Sequence, residues 1–124
     1  MTDLTSRHAL PNGTAQLLSE EAVRDLMPQL ADWSIEHGRL SRDMRLRNFH
    51  EALALVNTVG EVAEAENHHP DITIHRWNRV RIELYTHSVD GLSINDFILA
   101  AKITQLYATA AAHDTPSETP SEGG

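Results

Sequence analysis

Apolar residues in the middle of this chain switch repeatedly between two spacings, and that switching limits the folds open to it. Trp33 and Ile35 alternate with Ser34 and Glu36, and after His37-Gly38 come Leu40, Met44 and Leu46 alternating with Arg39, Ser41, Asp43 and Arg45. The same alternation returns in Ile72 and Ile74, then in Val80, Ile82 and Leu84 set between Arg81, Glu83 and Tyr85. Spacing of two places side chains on opposite faces of a strand, so each stretch predicts a hairpin with one apolar face. His37-Gly38 suits the first turn and Asn78-Arg79 the second, with a bulge near Arg76 and Trp77 where parity breaks.

Helical spacing fills the gaps. Ser19 can cap a helix with Glu20 and Glu21 in its first turn and Val23, Leu26, Met27 and Leu30 along one face. Asn48, with Glu51 three residues later, reads as a capping box ahead of Phe49, Ala52, Leu53, Val56, Val59 and Ala63. That helix runs to about Glu66 and must stop before Pro70. Ser93 caps a third, patterned by Ile94, Phe97, Ile98, Ala101 and Lys102, with Leu106 near its end. The order is αββαββα. Four strands that are each apolar on one face need that face covered, so the fold class is α+β: a four-stranded antiparallel sheet with three helices packed on one face.

At 124 residues the chain fits one domain. Residues 1–15 are polar and irregular and predict a flexible N-terminal segment. Residues 16–112 form the domain, and 113–124, rich in Ser, Thr, Pro, Glu and Gly, predict a disordered tail. With no cysteine there is neither a disulfide framework nor a thiolate metal site. No apolar run approaches the ~18 residues of a membrane span, and the first residues carry no signal-like apolar stretch, so a cytoplasmic location is expected with no membrane partner. A net charge of −8 argues against a nucleic-acid partner, since phosphate binding rests on clustered Lys and Arg. The arginines at 39, 42, 45 and 47 and at 76, 79 and 81 read as solvated strand edges and turns.

Eight histidines are more informative, because four fall between His68 and His87. If the second helix persists through Asn67, Glu64 and His68 share a face four residues apart, and the helix C-terminus also favours an imidazolium at His68. That suits a proton donor. His87 lies at the end of the fourth strand with the polar parity of Arg81, Glu83 and Tyr85, free to face a ligand. Singly, each candidate has an ordinary explanation: Asp96 completes a capping box with Ser93, Glu64 is a solvated helix residue, Trp77 packs, and His68-His69 marks a polar loop.

Together they form a pattern: Glu64, three residues, His68-His69-Pro70, six residues, Trp77, nine residues, His87, eight residues, Asp96. This pattern resembles the pterin-4a-carbinolamine dehydratases, and the resemblance extends through residues 33–46, the 49–63 helix and Gly91-Leu92-Ser93 with Asp96, spanning about 19–107. It implies three helices on one side of a four-stranded antiparallel sheet. It also implies dehydration of 4a-hydroxytetrahydropterin to the quinonoid dihydropterin. His68, His69 and His87 would be the active-site histidines, supported by Glu64 and Asp96. Pterin contacts would come from the histidines with Asn67, Tyr85, Thr86 and Ser88. Expelling the hydroxyl needs a proton donor and forming the double bond needs a base, and imidazoles can be both. No cofactor is implied, and a homodimer or homotetramer is.

Two other readings fit the same residues. One is a non-catalytic dimerisation or assembly-factor module on the same fold, which would not need the histidines. The other is a metal site made by His68, His69 and His87 as in three-histidine zinc centres, although adjacent histidines point apart unless the loop bends, and the resemblance implies a metal-free pocket.

Overall fold

In the computed structural model, residues 3–11 and 13–111 are described. The elements are α1 (Glu20–Leu26), β1 (Ser34–Glu36), β2 (Arg39–Arg45), α2 (Phe49–Glu66), β3 (Asp71–His75), β4 (Arg79–Leu84) and α3 (Ile94–Ala111), with short 3-10 turns at Leu4–Ser6, Met27–Gln29 and His87–Val89. This is the αββαββα order, and the four strands form one antiparallel sheet in the order β1-β2-β4-β3.

Central strands β2 and β4 join the two hairpins, with Leu40 opposite Leu84 and Met44 opposite Val80. These four, with Ile82, are almost fully buried and meet Leu55, Val59, Phe97, Ile98 and Ile103 from the two long helices. Burial of such side chains is the main favourable term in folding. The opposite sheet face is polar: Arg39 pairs with Asp71 across 3.1 Å, and Asp43 takes His75 at 2.9 Å and Arg81 at 3.8 Å.

The caps form as the sequence suggests. Ser19 Oγ accepts the Ala22 amide at 3.1 Å, and Asn48 Oδ1 accepts the Glu51 amide at 2.8 Å. Three details differ from expectation. There is no bulge at the second hairpin: pairing is continuous from Asp71 opposite Glu83 to His75 opposite Arg79. The parity break lies in the loop of residues 76–78, where Arg76 and Trp77 both take positive φ, 51° and 55°, and Arg79 already belongs to β4. Finally, α3 continues five residues past Leu106, to Ala111, because its last turns are rich in alanine and Tyr107 is tied to the Arg45 carbonyl at 2.8 Å.

The N-terminal segment is bound to the domain rather than merely preceding it. Leu4 belongs to the core cluster. Ala9 donates its amide to Glu66 Oε1 at 2.6 Å, and His8 Nδ1 and Lys102 Nζ reach Glu66 Oε2 at 2.9 and 3.1 Å. Asn95 grips Leu10 twice, accepting its amide at 2.7 Å and donating to its carbonyl at 3.1 Å. The core thus begins ahead of residue 16, while the tail expected at 113–124 lies outside the described residues.

Glu66 completes the buried stripe of α2 formed by Ala52, Leu55, Val59 and Ala63, and its side chain is 5% exposed. Burial pushes its carboxyl upward, but the Ala9 amide, His8 and Lys102 outweigh that and hold it below its ordinary value. A depressed carboxyl stabilises the fold above the unfolded glutamate value of about 4.3, and that contribution is lost as pH falls through the lower folded value. Urea unfolding between pH 6 and pH 3 should therefore show a steeper loss of stability in the unaltered chain than in Glu66→Gln. Parallel curves would contradict the assignment.

Candidate active site

The segment after α2 sets the site's geometry. The helix ends at Glu66, and Asn67 turns into the left-handed region at φ 53° and ψ 43°, a conformation asparagine tolerates better than most residues. His68 donates its amide to the Ala63 carbonyl at 3.1 Å, closing a Schellman-type end, and Pro70 prevents further helix. His68 is therefore off the helix. The expected Glu64-His68 pair does not form; Glu64 Oε1 instead meets His69 Nε2 at 2.5 Å, one residue further on. The left-handed turn at Asn67 redirects both imidazoles.

His68 finds a different carboxylate. Its Nε2 lies 2.6 Å from Asp96 Oδ1, and Asp96 is completely buried in the first turn of α3. Asp96 Oδ2 accepts the Ser93 amide at 2.9 Å, the reciprocal half of a capping box, and the Thr86 hydroxyl at 2.7 Å. Thr86 has one hydroxyl proton and gives it to Asp96, so at 2.8 Å it accepts from the Ser93 hydroxyl. With Oδ2 taking these two donors, Oδ1 is left as the acceptor that faces His68 Nε2. The ordinary reading of Asp96 as a cap and its reading as support for a histidine thus hold together. No buried side-chain nitrogen or oxygen among the described residues lacks a partner.

His87 opens the short turn after β4, three residues beyond the strand end at Leu84. Its ring meets Tyr85 edge-on at 5.0 Å, and the Arg39 guanidinium lies 4.6 Å over the Tyr85 ring. Tyr85 also donates to Asp90, which raises the phenol above its usual value. Asp90 takes a left-handed conformation at φ 51° and ends the turn.

These segments surround a cavity of about 280 Å³ lined by Gly13, Asn67, His68, His69, Tyr85, Thr86, His87 and Ser88. That volume lies near the lower end of small-molecule sites. Glu64 and Asp96 do not line it; each holds a histidine that does. Trp77 is 45% exposed at the β3-β4 loop and His75 sits on the polar sheet face, so neither belongs to the pocket. Among the described residues, no three or more His, Asp or Glu side chains are arranged to hold a metal ion. No helix among them is long and apolar enough to cross a membrane.

The family model described as pterin 4 alpha carbinolamine dehydratase matches residues 16–106. This chain belongs to that family. A mitochondrial protein of Arabidopsis thaliana named pterin-4-alpha-carbinolamine dehydratase 2 is 37% identical over 112 residues, covering 86% of this chain and 60% of its own length. A Rubrobacter xylanophilus protein bearing the family's name is 46% identical over 110 residues, covering 86% of this chain and all of that protein. A Brucella melitensis crystal structure described as a transcriptional coactivator/pterin dehydratase superposes with a TM-score of 0.69 at 27% identity, covering 73% of this chain and 98% of that one.

Periodicity did not reveal Gly13 or the partners of the two histidines. A signal for Glu66 was available, since it falls at buried helical spacing after Ala63. The two histidine-carboxylate pairs differ sharply in setting: the His68-Asp96 side chains are 11% and 0% exposed, those of His69 and Glu64 57% and 79%. Removing a buried carboxylate strands its donors, whereas an exposed ion pair contributes little. Asp96→Ala is expected to lower stability by about 2 to 4 kcal/mol and His69→Ala by less than about 1 kcal/mol, measured by urea denaturation. Equal losses would contradict this ranking.

Proposed function

We propose that the chain dehydrates a 4a-hydroxytetrahydropterin to the quinonoid dihydropterin by histidine acid-base catalysis. The observation that carries this reading is the convergence of His68 and His69, from the end of α2, with His87, nearly twenty residues further along the chain, on one small cavity. One imidazolium protonates the 4a-hydroxyl as the carbon-oxygen bond breaks, and the oxygen leaves as water. A neutral imidazole removes the ring-nitrogen proton as the new double bond forms. One proton enters, one leaves, and no oxidation state changes, so the step itself calls for neither a redox cofactor nor a metal.

In this reading Asp96 fixes the ring of His68 and Glu64 that of His69, while Asn67, Tyr85, Thr86 and Ser88 contact the pterin. Placing an acid and a base at the reacting atoms is typically worth about a hundredfold to ten-thousandfold. The reaction would supply, in the cytoplasm, the quinonoid dihydropterin that a separate two-electron reduction returns to the tetrahydropterin pool. The short β1 and the β3 edge leave backbone groups open to pairing, which supports a homodimer or homotetramer; sedimentation of a monomer alone would reject that part.

The name of the Brucella structure, joining a coactivator with a dehydratase, favours weighing a second reading, an interaction module on the same fold. The two readings separate in one experiment. Purified protein mixed with synthetic 4a-hydroxytetrahydropterin is expected to speed loss of its absorbance over buffer, and His68→Ala or His87→Ala to slow the enzymatic rate by about a hundredfold or more while the domain stays folded. A wild-type rate equal to buffer would reject the enzyme, and a protein complex surviving replacement of all three histidines would then favour the module.

A further inference from the structure

The pocket has one wall that neither the histidine pattern nor the family match accounts for. Gly13 lines it, and Gly13 with the anchored residues His8, Ala9 and Leu10 lies ahead of the 16–106 stretch matched by the family model. Those residues are fastened on both sides of the pocket. On one side Glu66 and Asn95 hold His8, Ala9 and Leu10 through the bonds described above. On the other, the Leu18 amide donates to the Leu92 carbonyl at 2.9 Å, and Leu17 packs so closely on Gly91 that a Cβ there would meet its Cδ1 at 2.5 Å. Between the anchors, the amide and hydroxyl of Thr14 both reach the Pro11 carbonyl, at 3.0 and 2.6 Å, and Gly13 adopts φ 81°, a conformation that glycine reaches without strain.

The anchors are immediate neighbours of the site. Glu66 precedes Asn67 and His68, Asn95 precedes Asp96, and Gly91 and Leu92 lie in the loop between His87 and Ser93. Lys102 adds a cation beside the buried Glu66 carboxylate, and a charge-assisted bond of that kind holds a backbone amide more firmly than a neutral one. Within the segment Leu10 and Leu17 are exposed, while Ala15 is buried and Leu18 packs against the core. Its first half is thus held mainly by the polar bonds to Glu66 and Asn95, and its second half by the Leu18 amide and by packing of Ala15, Leu17 and Leu18.

We propose that the segment around Gly13 is a strap forming one wall of the ligand pocket, with Glu66 and Asn95 as the positioning residues that hold it over the bound ring. This rests on the dehydratase reading for the nature of the ligand. Docking of the strap and binding of the ring then reinforce each other, because a ligand that touches only the docked state stabilises that state.

The test uses the whole 124-residue chain, the hydroxypterin as substrate and 7,8-dihydropterin as a probe that is not turned over. Freeing one anchor removes a hydrogen-bonded clamp, so Glu66→Ala and Asn95→Ala are each expected to raise KM and the probe's Kd about tenfold with kcat within about twofold. Glu66→Gln, which keeps an acceptor for the Ala9 amide, is expected to recover part of that loss. Both point variants leave Leu4 in the core, so folding is checked by thermal melting without removing the segment. Hydrogen exchange at the Ala9 and Leu10 amides should slow further when the probe is added to the unaltered protein. Turnover by the unaltered protein with variants that match it in KM and Kd, or a fall in kcat alone, would overturn the strap and leave the dehydratase reading standing. Neither turnover nor probe binding in the unaltered protein would overturn both.

Discussion

The buried carboxylate of Asp96 is the point on which the site depends. It joins three elements: the Ser93 amide at the head of α3, the Thr86 hydroxyl just past β4, and His68 just past α2. A carboxylate without solvent is tolerable only when its oxygens are fully engaged, and here two of its three partners, Thr86 and His68, line the pocket. The carboxylate that caps the helix through one oxygen therefore holds the imidazole through the other.

Around that centre the protein keeps two histidine-carboxylate pairs in contrasting settings. His68 is held against a buried partner and has little freedom, while His69 and Glu64 meet in solvent. A rigid, buried orienting group fixes which ring nitrogen carries hydrogen, as does the carboxylate of a hydrolase triad; an exposed pair leaves its imidazole freer to reorient. His87, set edge-on against Tyr85, comes from neither pair and approaches the cavity on the turn after β4. Membership in the pterin 4 alpha carbinolamine dehydratase family is consistent with a pterin as substrate, and the small volume of the cavity agrees with a compact ligand.

Much of the framework was legible because it follows from short-range rules. Ser19, Asn48 and Ser93 cap helices as their spacing implied, and the alternation at Leu40 and Met44 and at Val80, Ile82 and Leu84 marked the buried sheet face. What escaped depends on single backbone turns or distant contacts. Whether Glu64 meets His68 or His69 is decided by the left-handed turn at Asn67, and periodicity carries no sign of φ. The loop at Arg76 and Trp77 imitates a bulge for the same reason, since both break parity. The stretch His8, Ala9 and Leu10 looks irregular because its partners, Glu66 and Asn95, lie more than fifty residues away.

The most direct test of the site is a crystal structure of the protein grown with saturating 7,8-dihydropterin. The bicyclic ring is expected between His68, His69 and His87, with at least one imidazole nitrogen in hydrogen-bond reach of a ring nitrogen or of the carbon-4a edge. A ring bound elsewhere on the surface, with that cavity empty at full occupancy, would contradict the assignment of these histidines to the chemistry.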